Sequence, residues 1–130
     1  MQNETDELLS QFECGTVDPT VFDHKSHVRV AYALLRRDGF IDALITYARC
    51  LRSLTEKAGV PEKFNVTITV AYLSLIAERL HGRAYADFED FITGNGDLLS
   101  PRVVMDLYSD TRMKSPLARG AFLLPDRPAA

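Results

Sequence analysis

Apolar residues recur along the chain with two different periods, and the longest run carries both. That run is PEKFNVTITVAYLSLIAERL, residues 61–80. In its first half Phe64, Val66, Ile68 and Val70 alternate with Asn65, Thr67 and Thr69, a period of two with β-branched residues that signals a strand. In its second half Tyr72, Leu75, Ile76 and Arg79 fall three and four apart, which signals a helix. A strand needs a partner for its backbone groups, and no other segment alternates convincingly; a helix satisfies its own. The stretch is therefore read as one helix from about Pro61 to His81, opened by Pro61 and Glu62 and stopped by Gly82. Being apolar nearly all round, it calls for other helices around it. Thr67, Thr69 and Ser74 are expected to return their hydroxyls to the backbone one turn back.

The flanking segments read as helices too. In VFDHKSHVRVAYALLRRDGF, Asp23 is an expected N-cap, and His24, His27, Val28, Ala31, Leu34 and Leu35 share a face. Arg29, Arg36 and Arg37 lie off that face, and Gly39 suits the end of the helix. A second helix runs from about Phe40 to Ala58, with Ile41, Leu44, Ile45, Ala48, Leu51 and Leu54 as its apolar stripe and Arg52–Glu56 as a surface pair. After Gly82 a shorter helix carries Tyr85, Phe88, Phe91 and Ile92 inward, and residues 93–97 form a loop. Ser100-Pro101 and Ser115-Pro116 each open a further helix. Residues 1–20 read as a weakly ordered segment and 21–127 as the helical domain. The predicted fold is all-α, a single-domain bundle of five to six helices around the 61–81 helix.

Composition narrows the function classes. At 130 residues and 46% hydrophobic the chain makes one domain with its own core. A net charge of −3 provides no positive field for nucleic acid. Cys14 and Cys50 make neither a metal motif nor a disulfide framework, and reduced thiols point to the cytoplasm. The opening MQNETDELLS is too acidic for a signal peptide, and the central run is broken by Thr and Ser, so no membrane span is expected. Phosphate loops, nucleophile elbows, zinc-protease motifs and dinucleotide fingerprints are all missing from the sequence.

The sharpest chemical signal is His24 and His27 in the first turn of one helix. Their spacing puts both rings on one side. The helix dipole disfavours the charged imidazole there, so neutral rings are expected. A neutral imidazole hydrogen-bonds, serves as a general base or ligates a metal. Three readings stand: structural histidines, a ligand or catalytic pair, and, less favoured, a metal site. Zinc would require a third or fourth ligand, and no cofactor is identified. Arg112, Lys114 and Arg119 form a small basic cluster.

Three segments together resemble a family of small all-helical bacterial proteins with no established reaction. The family opens on Phe-x-His-x-x-His-Val-Arg, here Phe22, His24, His27, Val28 and Arg29. Its central helix carries Tyr-His-Glu-Thr-x-Thr, here Phe64-Asn65-Val66-Thr67-Ile68-Thr69 with Tyr72 following. It closes on Tyr-Ser, Ser-x-x-Ala-Arg and Pro-Asp, here Tyr108, Ser109, Ser115, Ala118, Arg119, Pro125 and Asp126. The resemblance implies that the polar positions of the first and central helices face each other. This chain departs from it where Asn65 replaces the His and Val66 the Glu, so chemistry needing that Glu is expected to be absent or altered.

Two functional expectations follow. One is a small-molecule-binding or accessory enzyme-like protein with a pocket between the first and central helices. In it His24 and His27 are base or hydrogen-bond donors, Asn65, Thr69 and Tyr72 orient the ligand, and Arg29 or Arg119 pairs an anionic group. The other is a protein-interaction module using the exposed FLLPD segment and the acidic N-terminus. A homodimer is compatible with either.

Overall fold

Local capping sets where the helices of the computed structural model begin. The side chains of Asp23, Asn65, Asp87, Ser109 and Ser115 each accept a hydrogen bond from the backbone N–H three residues on, satisfying a donor the helix leaves open. The structure describes residues 2–127, with side chains from residue 4. Eight α-helices follow in order: α1 (Gln2–Cys14), α2 (His24–Arg37), α3 (Phe40–Lys57), α4 (Val66–His81), α5 (Phe88–Gly94), α6 (Arg102–Met105), α7 (Asp110–Met113) and α8 (Pro116–Gly120). Single 3-10 turns span Pro61–Lys63 and Gly96–Leu99. The expected all-α bundle is what forms. It holds more helices than the five to six expected because residues 2–14 are helical and the C-terminal third breaks into three short helices rather than two. No strand is present among the described residues, so the 64–70 alternation belongs to a helix.

The boundaries of the central helix move. Pro61 opens only a 3-10 turn; Phe64 and Asn65 are extended, and the helix proper starts at Val66 under the Asn65 cap. The helix packs against α2, α3, α6 and α8. Yet the most enclosed helix is α2, whose Val28, Val30, Ala31, Tyr32, Ala33 and Leu34 are all buried. It can be wrapped because its arginines lead their charges outward. Arg29 lies 4.4 Å over the Phe88 ring and donates to Thr5 and Glu89, and Arg36 donates to the Tyr32 hydroxyl and the Tyr85 carbonyl. Gly39 is not a left-handed stop: α2 ends at Arg37, and extended Gly39 caps the start of α3. Left-handed backbone is used at Gly15 (φ 71°) and Gly59 (φ 77°), which terminate α1 and α3.

Four further expectations are corrected. Residues 2–14 form a helix rather than a weakly ordered segment, because Leu9 and Phe12 supply a buried face. Phe12 stacks on Phe22 (centroids 5.5 Å, planes 2° apart) and meets Tyr47 at 6.3 Å. On α3 Leu51 is buried and Leu44 and Leu54 pack partly buried against the core as expected, but Ala43 and Tyr47 take the deepest positions, leaving Ile41 66% and Ile45 46% exposed. The helix is rotated from the expected face because α1 and α4 flank it on the Tyr47 side. Arg52 and Glu56 form no ion pair among the described residues. Asn95, expected in a loop, is buried: its amide donates to the Phe91 carbonyl and the Tyr85 hydroxyl, and its oxygen accepts from Arg79.

Thr69 returns its hydroxyl to the Asn65 carbonyl at 2.7 Å, as expected. Thr67 does not. Its hydroxyl donates to the Ala121 carbonyl at 2.7 Å and accepts from the Leu123 N–H at 3.1 Å, tethering the irregular C-terminal segment to α4. The same segment is held by Tyr108 donating to the Leu123 carbonyl, Arg112 to the Leu124 carbonyl, and Ser109 to Asp126 through both its N–H and its hydroxyl. The two hydroxyls on one helix therefore differ in worth. Thr67→Val strands two partly buried backbone groups and is expected to cost about 1–2 kcal/mol, whereas Thr69→Val costs under about 1; denaturant midpoints of the two variants measure the difference. Phe12→Ala is expected to cost about 3–5 kcal/mol in the same assay, a loss that a loosely attached N-terminal segment would not produce.

Candidate functional site

The site begins with a turn. Arg79, near the end of α4, donates to both carboxylate oxygens of Asp97 (3.0 and 2.8 Å) and to Asn95 at 2.9 Å. With the Leu98 side chain fully buried, these contacts hold the Gly96–Leu99 turn against α2 and α4. The Leu98 carbonyl then meets two side chains. His24 Nε2 lies 3.0 Å from it, and the Tyr72 hydroxyl donates to it. Nε2 and the Tyr72 oxygen are 2.7 Å apart. A carbonyl only accepts, so this arrangement is satisfied when the neutral His24 ring carries its proton on Nε2. Burial, followed by the Asp97 charge, pushes the Tyr72 phenol well above its ordinary value, and the phenol stays a donor.

Beside this contact, α2, α3, α4 and the Pro61–Lys63 turn line a half-open cavity of about 160 Å³. His24, His27, Tyr47, Thr55, Asn65, Thr69 and Tyr72 supply its polar lining, with Leu51, Phe64, Ile68 and Pro101 as apolar wall and Lys63 on its exposed side. The His27 ring rests on Phe22 (centroids 4.7 Å) and lies 6.0 Å from the His24 ring. No fully enclosed side-chain nitrogen or oxygen lacks a hydrogen-bond partner among the described residues. The His27 nitrogens and the Tyr47 hydroxyl, which have no such bond there, therefore touch cavity space. Tyr47 is only 2% exposed; burial, then the nearby Tyr72 oxygen, pushes its phenol far up. The His27 pKa is lowered to about 4, by burial first and the His24 charge second, with Asp23 opposing. The neutral ring expected for His27 is thus produced mainly by burial.

The other sequence candidates separate. Asn65 lines the cavity but is already occupied: its oxygen caps α4 and its amide donates to the Met113 carbonyl at 3.1 Å. Arg29 is on the opposite side of α2, bound to Thr5 and Glu89. Arg119 is exposed, donates to the Lys114 carbonyl and lines a separate surface depression. Neither arginine lines the cavity: Arg29 is held on the far face of α2, and the depression at Arg119 adjoins the cavity, sharing Lys63, Asn65 and Ile68 with it. The basic cluster also divides, since Arg112 is committed to the Leu124 carbonyl. No three His, Cys, Asp or Glu side chains group as a metal site among the described residues, and no helix there is long and apolar enough to cross a membrane.

Sequence reasoning missed Tyr47 and the Leu98 carbonyl. Tyr47 was legible as the middle of Ala43–Tyr47–Leu51, a four-residue spacing that competes with the Ile41–Ile45 stripe. A backbone carbonyl has no sequence signal. No protein-family model, curated protein or solved structure matches the chain.

The lowered His27 pKa makes a signed prediction. The unfolded ring binds a proton near its ordinary value of 6.5 and the folded ring only near 4. Stability from this group is complete above about pH 6.5 and is lost as pH falls toward 4, by at most about 3 kcal/mol. Glu13, Asp23, Asp38, Asp97 and Asp126 are all held low by hydrogen bonds, from ordinary values of 3.8 or 4.5, and their losses begin below most of this window. Denaturant midpoints between pH 4.5 and 6.5 are expected to fall with pH in the natural protein and to flatten in His27→Gln.

Proposed function

We propose that the protein binds a small molecule in the cavity between α2, α3 and α4. The observation that carries this reading is a pair of polar groups, the Tyr47 hydroxyl and the His27 ring, that have no side-chain hydrogen bond among the described residues and line the same cavity. Both groups keep access to solvent, so a ligand that displaces water from them has to offer matching donors and acceptors. The surrounding wall is apolar, as is usual for ligand pockets. The lowered His27 pKa favours a hydrogen-bonding role over general-base chemistry at neutral pH, and His24 Nε2 is engaged with Leu98 and Tyr72. The family resemblance supports the place of the site but not a reaction, since Asn65 acts as a helix cap and Val66 carries no proton.

A second reading, an interaction module, is favoured by one surface. Leu117 (62%), Phe122 (43%) and Leu124 (68%) are exposed around the tethered C-terminal segment. Amide NMR spectra recorded during a screen of fragments of about ten heavy atoms or fewer, a size set by the small cavity, separate the two. Shifts at Leu51, Ile68 and Tyr72 are expected, and they vanish in a cavity-filling Leu51→Trp variant that keeps the natural far-UV circular dichroism. Shifts confined to 117–124, unaffected by that variant, would move the function to the C-terminal surface.

A further inference from the structure

The chemistry of the cavity lining selects among ligand classes by elimination. No Asp or Glu lines the cavity, so a cation would lose its hydration shell without a counter-charge. An anion fares little better. The only cationic side chain on the lining is Lys63, which is exposed and well screened by water, while His27 is held neutral by burial beside His24. A wholly apolar ligand would fill the volume but leave Tyr47 and His27 without partners, the costly outcome for buried polar groups. What remains is an uncharged molecule with one group that both donates and accepts.

Size sharpens the class. The volume is about 160 Å³, and an apolar cavity of about 150 Å³ is known to hold benzene. The walls that face a ring are Leu51, Phe64, Ile68 and Pro101. Resting on the binding reading above, we infer that the cavity takes a small hydroxylated ring, a phenol or a cyclic alcohol, whose hydroxyl donates to the His27 imidazole and accepts from the Tyr47 hydroxyl. A neutral imidazole offers one acceptor nitrogen and a phenol hydroxyl offers one donor, so a single hydroxyl pairs with these two, and the N–H of the His27 ring is left to solvent. His24 stays outside this exchange, with Nε2 committed to the Leu98 carbonyl and Tyr72.

The test compares four probes on the full chain at pH 7.5: phenol, cyclohexanol, benzene and benzoate, each titrated by calorimetry and by amide NMR shifts. Phenol and cyclohexanol are expected to bind about tenfold or more tightly than benzene, the effect of two neutral hydrogen bonds, and benzoate is expected to bind most weakly. Tyr47→Phe removes one oxygen and leaves the ring in place. It is expected to keep the natural stability or raise it, to retain benzene binding, and to bring phenol to within about threefold of benzene. Benzene or benzoate matching phenol, or Tyr47→Phe leaving the phenol preference intact, overturns the ligand class while the pocket stands. Failure of all four probes to shift cavity amides overturns the pocket reading itself.

Discussion

Two donors converging on the Leu98 carbonyl tie the molecule together. The acceptor belongs to a short turn, and the donors, His24 and Tyr72, belong to α2 and α4. None of the three elements is close to another in sequence. A carbonyl with two lone pairs takes both bonds, and each donor is thereby spared an unsatisfied burial. The turn is made rigid from its other side by Arg79, whose guanidinium spans Asn95 and Asp97. The polar groups around the Leu98 carbonyl and Arg79 thus form one connected set, and α2 and α4 are held at the separation that leaves a cavity next to them.

That cavity is walled by aromatic support running through the N-terminal half. Phe12 stacks on Phe22, Phe22 backs the His27 ring, and Phe12 also meets Tyr47. α1 therefore contributes to the site without touching it, by bracing two of the groups that border the space. The same packing strips water from His27 and Tyr47, and that is why one stays neutral and the other stays protonated. Burial, polarity and open space coincide at this place among the sequence candidates: Arg29 and Arg119 are charged but do not line the cavity, and Asn65 is polar but already bonded.

The C-terminal third follows a different logic. Its helices are four or five residues long, too short to be stable by themselves. Side-chain bonds to backbone hold the segment after them: Thr67 to Ala121 and Leu123, Tyr108 to Leu123, Arg112 to Leu124. The Tyr108-Ser109 and Pro125-Asp126 pairs read from the sequence as one motif meet here as a clasp, with Ser109 bonded twice to Asp126. These residues support the fold; none of them borders the cavity.

The amino-acid sequence by itself determined the all-α class, the Asp23 and Ser115 caps, the extent of α3, and the pairing of His24 with His27 on one side of α2. Those features depend on interactions within a turn or two of chain: a carboxylate or hydroxyl reaching an N–H three residues on, or side chains three apart. Only the tertiary structure decided which face of α3 turned inward, that residues 2–14 would be a helix, that Thr67 would bond across to Ala121, and that Tyr47 would stand unpartnered beside His27. Each of these depends on what an element meets. Ile41–Ile45 and Ala43–Tyr47–Leu51 are both acceptable apolar stripes, and the neighbouring helices choose between them. The Leu98 carbonyl that organises the centre is a backbone atom every residue has, so its role exists only once distant segments are brought together.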